Sequence, residues 1–290
     1  MLNNVIYLLT RGYPYLEMYQ GLIERNLSIY ETLNKYLDNS IPLIIFHEGN
    51  ILQDHQLFIS NNSAGQKLIF IDISNDFQWP TSIPMNSILE LQHFRPSYRM
   101  MCKFNAVQVW KYLKSYDYAM RIDEDVRLLK SSLDLFEDIS KNNLDYATSR
   151  WCEETHVLTN TTIPQVAHSI IPEKWKVEDY DQTNLWVPYT NLFIARVGLF
   201  LQEEVQSFLN ILTNYKEFYT HRWGDHVVSG IVLKAFSSPE KIKVLQNFEY
   251  FHGSHSCLTR DGKVISGIIS EHEADIFNCK ATGTPHYYSQ

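Results

Sequence analysis

Positive charge is scarce in this 290-residue chain: 25 Lys and Arg stand against 33 Asp and Glu, for a net charge of −8. Nucleic-acid binders draw much of their affinity from neutralised phosphates, and no cluster of Lys or Arg is present, so nucleic acid is not an expected partner. Long apolar runs are also missing. None approaches the roughly 18 residues of a membrane helix, and stretches such as 41–46 and 68–71 are strand-sized. The four cysteines (Cys102, Cys152, Cys257, Cys279) have no C-x-x-C spacing, which excludes the common zinc and dithiol motifs and reads as reduced, buried thiols. With 44% hydrophobic residues and only 11 Gly and 10 Pro, the chain is not disordered. Met1-Leu2-Asn3-Asn4 enters a strand at once, without a charged segment or cleavage site, so a cytoplasmic location with no transmembrane segment is expected.

What is present is an alternation of strand-like and helix-like segments. Residues 5–10, 42–47 and 67–73 are short apolar runs of buried-strand type. Between the first two, Leu16, Tyr19, Ile23, Leu27, Tyr30, Leu33 and Leu37 recur at three- and four-residue steps, one face of a helix. Residues 98–114 give a second helix, 118–122 a strand, 133–139 a short helix and 145–149 a further strand. From 151 to 188 the chain reads as irregular, with Pro164, Pro172 and Pro188, the pattern of a binding region. A strand at 193–197, helices at 203–218 and 223–236, and a late strand at 242–251 complete the pass. This is an α/β pattern, a mostly parallel sheet flanked by helices.

Three segments carry candidate chemistry. In Arg121-Ile122-Asp123-Glu124-Asp125 the strand alternation sends Asp123 and Asp125 to one side as the strand ends. Ligands gather at that edge of an α/β sheet, and hard oxygen donors suit Mn²⁺ or Mg²⁺. The same tripeptide also serves as a solvated acidic turn. The second segment is Tyr250-Phe251-His252-Gly253, where His252 would add a nitrogen ligand and Gly253 an amide for a phosphate oxygen, unless His252 is a structural hydrogen-bonding residue. The third is Arg222-Trp223-Gly224-Asp225. There Asp225 either favours a helix N-terminus or accepts a hydrogen bond from a substrate hydroxyl, beside Trp223 as a sugar platform and Arg222 as a countercharge. Arg11, directly after the first strand, is placed to meet a nucleotide.

These segments together resemble glycosyltransferase family 15, the fungal α-1,2-mannosyltransferases. The run from Tyr98 to Phe104 resembles that family's Y-R-x-M-C-R-F, and the run from Tyr116 to Val126 its Y-D-Y-Y-W-R-V-E-P-D-V. Arg222-Trp223-Gly224-Asp225 matches R-W-G-D, and Tyr250-Phe251-His252 resembles Y-Y-H. The resemblance implies a GT-A fold over 1–290 as a single domain, with a donor side at about 1–150 and an acceptor side at about 151–290. It implies Mn²⁺ or Mg²⁺ held by Asp123, Asp125 and His252, and donor contacts from Arg11, Arg121 and Gly253. It further implies an acceptor site with Arg222 and Trp223, assisted by Trp151, Trp175 and Trp186, and Asp225 as the residue that orients or deprotonates the acceptor hydroxyl. The partners would be a nucleotide-sugar donor, GDP-mannose favoured, and a glycan or glycoconjugate acceptor. One departure stands out: Phe193 occupies the place of the glutamate in the family's S-N-F-E-I. That departure keeps alternatives open, namely a transferase using a different donor such as a UDP-sugar, or a glycan-binding protein that has lost catalysis. A phosphohydrolase is disfavoured, because its D-x-D follows the first strand.

Overall fold

Val5, Ile6, Tyr7 and Leu8 are all completely buried, as a continuous apolar run requires when both faces of a sheet are covered. They form β1 (Asn4–Thr10) of a computed structural model that describes residues 2–36, 41–91, 94–130, 135–174, 185–245, 249–253, 256–259, 264–266 and 279–280. After β1 come α1 (Gln20–Thr32), β2 (Leu43–His47), α2 (Gln53–Asn61), β3 (Leu68–Asp72) and α3 (Pro96–Lys103), the last running through a π-helical stretch into α4 (Val109–Leu113). Next are β4 (Tyr118–Ile122), β5 (Val126–Lys130), α5 (Leu135–Lys141), β6 (Tyr146–Thr148), β7 (Trp151–Glu154), α6 (Val157–Ile170), β8 (Leu185–Pro188) and β9 (Leu192–Arg196). The chain continues through α7 (Val197–Phe200), α8 (Glu203–Leu212), α9 (Glu217–Thr220), α10 (Asp225–Phe236), β10 (Ile242–Val244) and β11 (Glu249–His252). Three short strands, β12 (Ser256–Thr259), β13 (Val264–Ser266) and β14 (Cys279–Lys280), form a separate sheet in the order β13-β12-β14.

The main sheet has seven strands in the order β10-β6-β9-β4-β1-β2-β3. β1 with β2, β2 with β3 and β10 with β6 are parallel, and β6 with β9 is antiparallel. The mostly parallel α/β architecture is therefore as expected. By contact density the chain divides into two units, one of residues 1–5, 73–121 and 136–245 and the other of 6–72, 122–135 and 246–290. The second unit contains β2, β3, α1, α2, β5 and β11, and there α1 lies against β5: the Leu128 amide donates to Ser28 Oγ at 3.1 Å and Arg127 pairs with Glu24. In the first unit Trp110 stacks on Phe200 at 3.8 Å, both 1% exposed.

Several elements differ from the sequence expectation. Within 151–174 and 185–188 the chain forms regular elements where an irregular region is expected: β7 pairs antiparallel with β8, and α6 lies between them in sequence with Pro164 inside it and Thr159, Ile163 and Ala167 buried. Proline normally ends a helix, and burial of that face overrides the local penalty. The late strand at 242–251 is two strands in different sheets, β10 beside β6 and β11 antiparallel to β5. The helix expected over 203–218 ends at Leu212 and resumes as α9.

The turn after β1 depends on one glycine. Gly12 donates its amide to Asn50 Oδ1 at 2.8 Å, and a Cβ at that position would lie 2.0 Å from the Asn50 carbonyl oxygen. Because the obstacle is backbone, Gly12→Ala is expected to destabilise the protein by about 2 kcal/mol. A urea midpoint lowered at unchanged m-value checks this, and an unchanged midpoint refutes it.

Candidate active site

The acidic turn is built by local hydrogen bonding. The Asp123 carbonyl accepts from the Val126 amide at 3.1 Å, closing a tight turn between β4 and β5. The pairing of β5 with β11 sets His252 opposite Val126. As a result His252 Nε2 lies 3.3 Å from Asp125 Oδ2, and the Gly253 amide donates to the Asp125 carbonyl at 2.9 Å. Asp125 and His252 are thus brought together, both largely buried (side chains 8% and 9% exposed). Gly253 was expected to offer its amide to a phosphate, and it is committed to the turn instead.

Glu124, between the two aspartates, has a different task. It accepts from the Tyr13 hydroxyl at 2.7 Å and from the Thr10 hydroxyl, which ties the turn to the end of β1. Burial and then the Glu124 charge push the Tyr13 phenol up, so it stays a donor. On α1, Arg25 is completely buried. It donates to Asn26 Oδ1, and its Nε and Nη1 have no hydrogen-bond partner among the described residues. Burial brings its guanidinium down to about 9 against the opposing pull of Glu124 and Asp123. Arg11 is exposed, with its guanidinium 5.2 Å from the centre of the Tyr13 ring.

The fit of a divalent cation is decided by these donors. Among the described residues no group of three His, Cys, Asp or Glu side chains could hold a metal ion. Of the expected set, Asp125 and His252 lie together as a carboxylate and an imidazole, and Asp123 stands in the same turn. Such a pair suits Mn²⁺ or Mg²⁺ that takes its other ligands from diphosphate oxygens and water, the usual arrangement for these ions.

The remaining candidates lie in the other unit. Asp225 opens α10 after the N-cap Gly224 and is 5% exposed. Arg121 of β4, also 5% exposed, pairs with its Oδ2, and His226 Nδ1 lies 4.0 Å from its Oδ1. Burial raises the carboxyl, but Arg121 and His226 outweigh it and hold Asp225 well below the usual range. Such a carboxylate is a weak proton acceptor and a firm hydrogen-bond acceptor. Arg121 is thus committed to Asp225, where a donor contact was expected. Arg222 donates to Glu154 Oε2 at 2.7 Å and sits 4.9 Å from the centre of the Phe94 ring, so its charge is spent inside the fold. Trp223 is 2% exposed and donates to Thr162 Oγ1 at 2.8 Å; it is a core residue, and the sugar-platform reading does not hold for it. Trp186 of β8 is 60% exposed and Trp151 is half-buried, whereas Trp175 lies outside the described residues.

Sequence reasoning missed Glu154 at the end of β7. Its Oε2 accepts from both Arg222 and His226 (2.7 and 2.6 Å), and its Oε1 accepts from the His156 amide at 2.8 Å. Burial opposes ionisation, but the bond from His226 and the charge of Arg222 bring it down to about 2. Arg25 was missed as well. A lone Glu in a stretch read as loop and a lone Arg on a helix give no signal in themselves.

Phe193 is 2% exposed in β9 and stacks on Tyr146 at 4.8 Å. Phe193→Glu is expected to cost about 3 kcal/mol, since it sets a carboxyl in an apolar contact without a partner. Chemical denaturation at pH 7 would show this, and an undiminished midpoint would mean that the position tolerates an acid.

A family profile described as "Glycolipid 2-alpha-mannosyltransferase" matches residues 70–289. Glycolipid 2-alpha-mannosyltransferase 1 of Candida albicans is 28% identical over 173 residues, 54% of this chain and 39% of that protein. Probable mannosyltransferase MNT3 of the same yeast is 26% identical over 166 residues, 54% of this chain and 44% of that protein. The chain thus spans less than half the length of these relatives. Among solved structures, core-mannan synthase A (CmsA/Ktr4) from Aspergillus fumigatus, in an Mn/GDP form, superposes with a TM-score of 0.74 at 19% identity, over 87% of this chain and 75% of that one. Ktr4p from S. cerevisiae in complex with GDP gives 0.73 at 18% identity, over 98% and 76%. At such identities these likenesses speak to the fold, while the profile spans most of the chain. The chain belongs to the glycolipid 2-alpha-mannosyltransferase family.

Proposed function

We propose that this protein transfers a sugar, mannose favoured, from GDP-mannose to a hydroxyl of a glycan or glycoconjugate. The observation that carries the proposal is the Asp125–His252 pair, fixed at the end of β4 by the β5–β11 register. Family membership supports it, as do the names of the yeast relatives and the GDP present in the two solved structures of like fold. A divalent cation bound at the pair would offset charge developing on the leaving diphosphate. The chain's own residues supply the rest. Asp125 and His252 offer one oxygen and one nitrogen donor, and Glu124 anchors the turn through Tyr13 and Thr10. Asp225, ionised and held by Arg121, orients the acceptor hydroxyl by accepting its hydrogen bond and leaves proton removal to another group. Exposed Trp186 offers a face for sugar stacking.

The test is a thermal-shift screen of the folded protein with GDP, UDP and their sugar conjugates, each with and without Mn²⁺. The winning donor is then tested for turnover with a mannoside acceptor. A ligand at 100 times its Kd adds about 2.7 kcal/mol to native stability, so a shift confined to GDP compounds with Mn²⁺ is the expected result. A shift with UDP-sugars alone would move the donor assignment. The burial of Phe193 favours one second reading, glycan binding without transfer. It would be adopted if mannosides shifted the melting point while no nucleotide did.

A further inference from the structure

The residue after Asp225 is a histidine with an unusual seat. Its Nε2 lies 2.6 Å from Glu154 Oε2, its Nδ1 lies 4.0 Å from Asp225 Oδ1, and its side chain is 15% exposed. The ring folds back over the helix N-cap. A Cβ on Gly224 would meet His226 Cε1 at 2.3 Å and Nδ1 at 2.5 Å. The backbone of Gly224, at φ −72°, is open to any residue, so the glycine is required here by the imidazole and not by the chain's path. Two largely buried carboxylates therefore share one imidazole, and each also has its own arginine, Arg121 on Asp225 and Arg222 on Glu154.

We infer that His226 is a positioning residue for Asp225: an imidazole clamped by Glu154 and seated on Gly224, it faces Oδ1 of the Asp225 carboxylate while Arg121 takes Oδ2, and so fixes the orientation in which that carboxylate meets an acceptor hydroxyl. The inference rests on the acceptor-orienting role proposed above for Asp225. A carboxylate has about four lone-pair sites, so with Oδ2 taken by Arg121 and Oδ1 facing the imidazole it retains capacity for the hydroxyl. The charged groups around the ring are Glu154 from β7, Asp225 on its own helix, and Arg222 from the preceding loop. Burial disfavours the imidazolium and the two carboxylates favour it, and together they raise the ring above its ordinary value. The arrangement needs all three of Glu154, Gly224 and His226, and the two partners lie 72 and 2 residues from the histidine in sequence.

Three variants address it: His226→Gln, Glu154→Gln and Gly224→Ala, the last of which removes no charge and only displaces the ring. Each is expected to lower kcat for transfer to the acceptor by about 100-fold, the scale of a misplaced reacting group. The donor KM and the thermal shift with GDP and Mn²⁺ should stay at wild-type values. His226→Gln combined with Gly224→Ala should be no worse than either alone. Independently of turnover, ¹⁵N resonances of the His226 ring should show both nitrogens protonated at pH 7 in the wild type and a shifted, weakened imidazolium in Gly224→Ala. A neutral wild-type ring overturns the inference, and so does a Gly224→Ala enzyme with unchanged kcat and unchanged ring resonances. An intact imidazolium in a protein that transfers no sugar overturns the functional reading, and the positioning role falls with it for that separate reason. Should Glu154→Gln fail to fold, the other two variants decide the matter.

Discussion

Asp125→Ala should reduce metal-dependent donor turnover by about 10²- to 10³-fold, the scale seen when one electrostatic contact to a developing charge is removed. The argument is geometric. Asp125 and His252 are the pair that the β5–β11 register holds at 3.3 Å. Removing the carboxylate takes one donor from the pair, and Mn²⁺ affinity should weaken with the activity. The Asp125 carbonyl keeps its bond from Gly253, so the turn survives and the loss is not an unfolding effect. Asp123→Ala is the informative companion. Asp123 stands in the same turn, and the smaller loss should fall there, in donor KM more than in the metal requirement. Full activity of Asp125→Ala at unchanged Mn²⁺ dependence would dismiss the assigned site.

Legibility from sequence followed the range of the interactions. The strand at residues 118–122 was readable to the residue, because continuous burial writes a continuous apolar run. The acidic turn and His252 were readable as a pair because the turn follows that strand directly. Their closeness was not, since it depends on β5 meeting β11 from about 120 residues away. Local rules failed where tertiary packing outbid them. Pro164 signalled loop inside α6, and a run through residues 242–251 concealed two strands of different sheets. Residue type also misled at Trp223 and Arg222. An indole and a guanidinium beside a helix N-terminus suggest a sugar site, whereas here they are consumed by Thr162 and Glu154. Glu154 and Arg25 were invisible for a related reason: their importance lies in burial and charge neighbours, which a single sequence does not print.

Acid should destabilise this protein through Glu154. Its carboxyl is ordinarily near 4.5 and is brought to about 2 in the fold, where burial is overcome by His226 and Arg222. A group with a depressed native value binds more protons in the unfolded state. Its stabilising effect is therefore complete above about 4.5 and is lost as pH falls towards 2, a change worth about 3 kcal/mol. His226 has the opposite sign. Burial lowers it, but Asp225 and Glu154 raise it above 6.5, so its contribution is complete below 6.5 and disappears as pH rises through the raised native value. The two limbs belong to one contact and should fail together. Glu154→Gln is expected to flatten the acid limb and to draw the alkaline limb down towards 6.5. Glu154→Ala should cost about 3–5 kcal/mol at pH 7, because Arg222 and His226 are left as buried cations without their shared carboxylate. Urea midpoints measured from pH 2.5 to 9 would separate these effects. If the acid limb of Glu154→Gln matched the wild type, the stability would have to be sought in another carboxylate, and Asp225, held low by Arg121 and His226, would be the one to replace next.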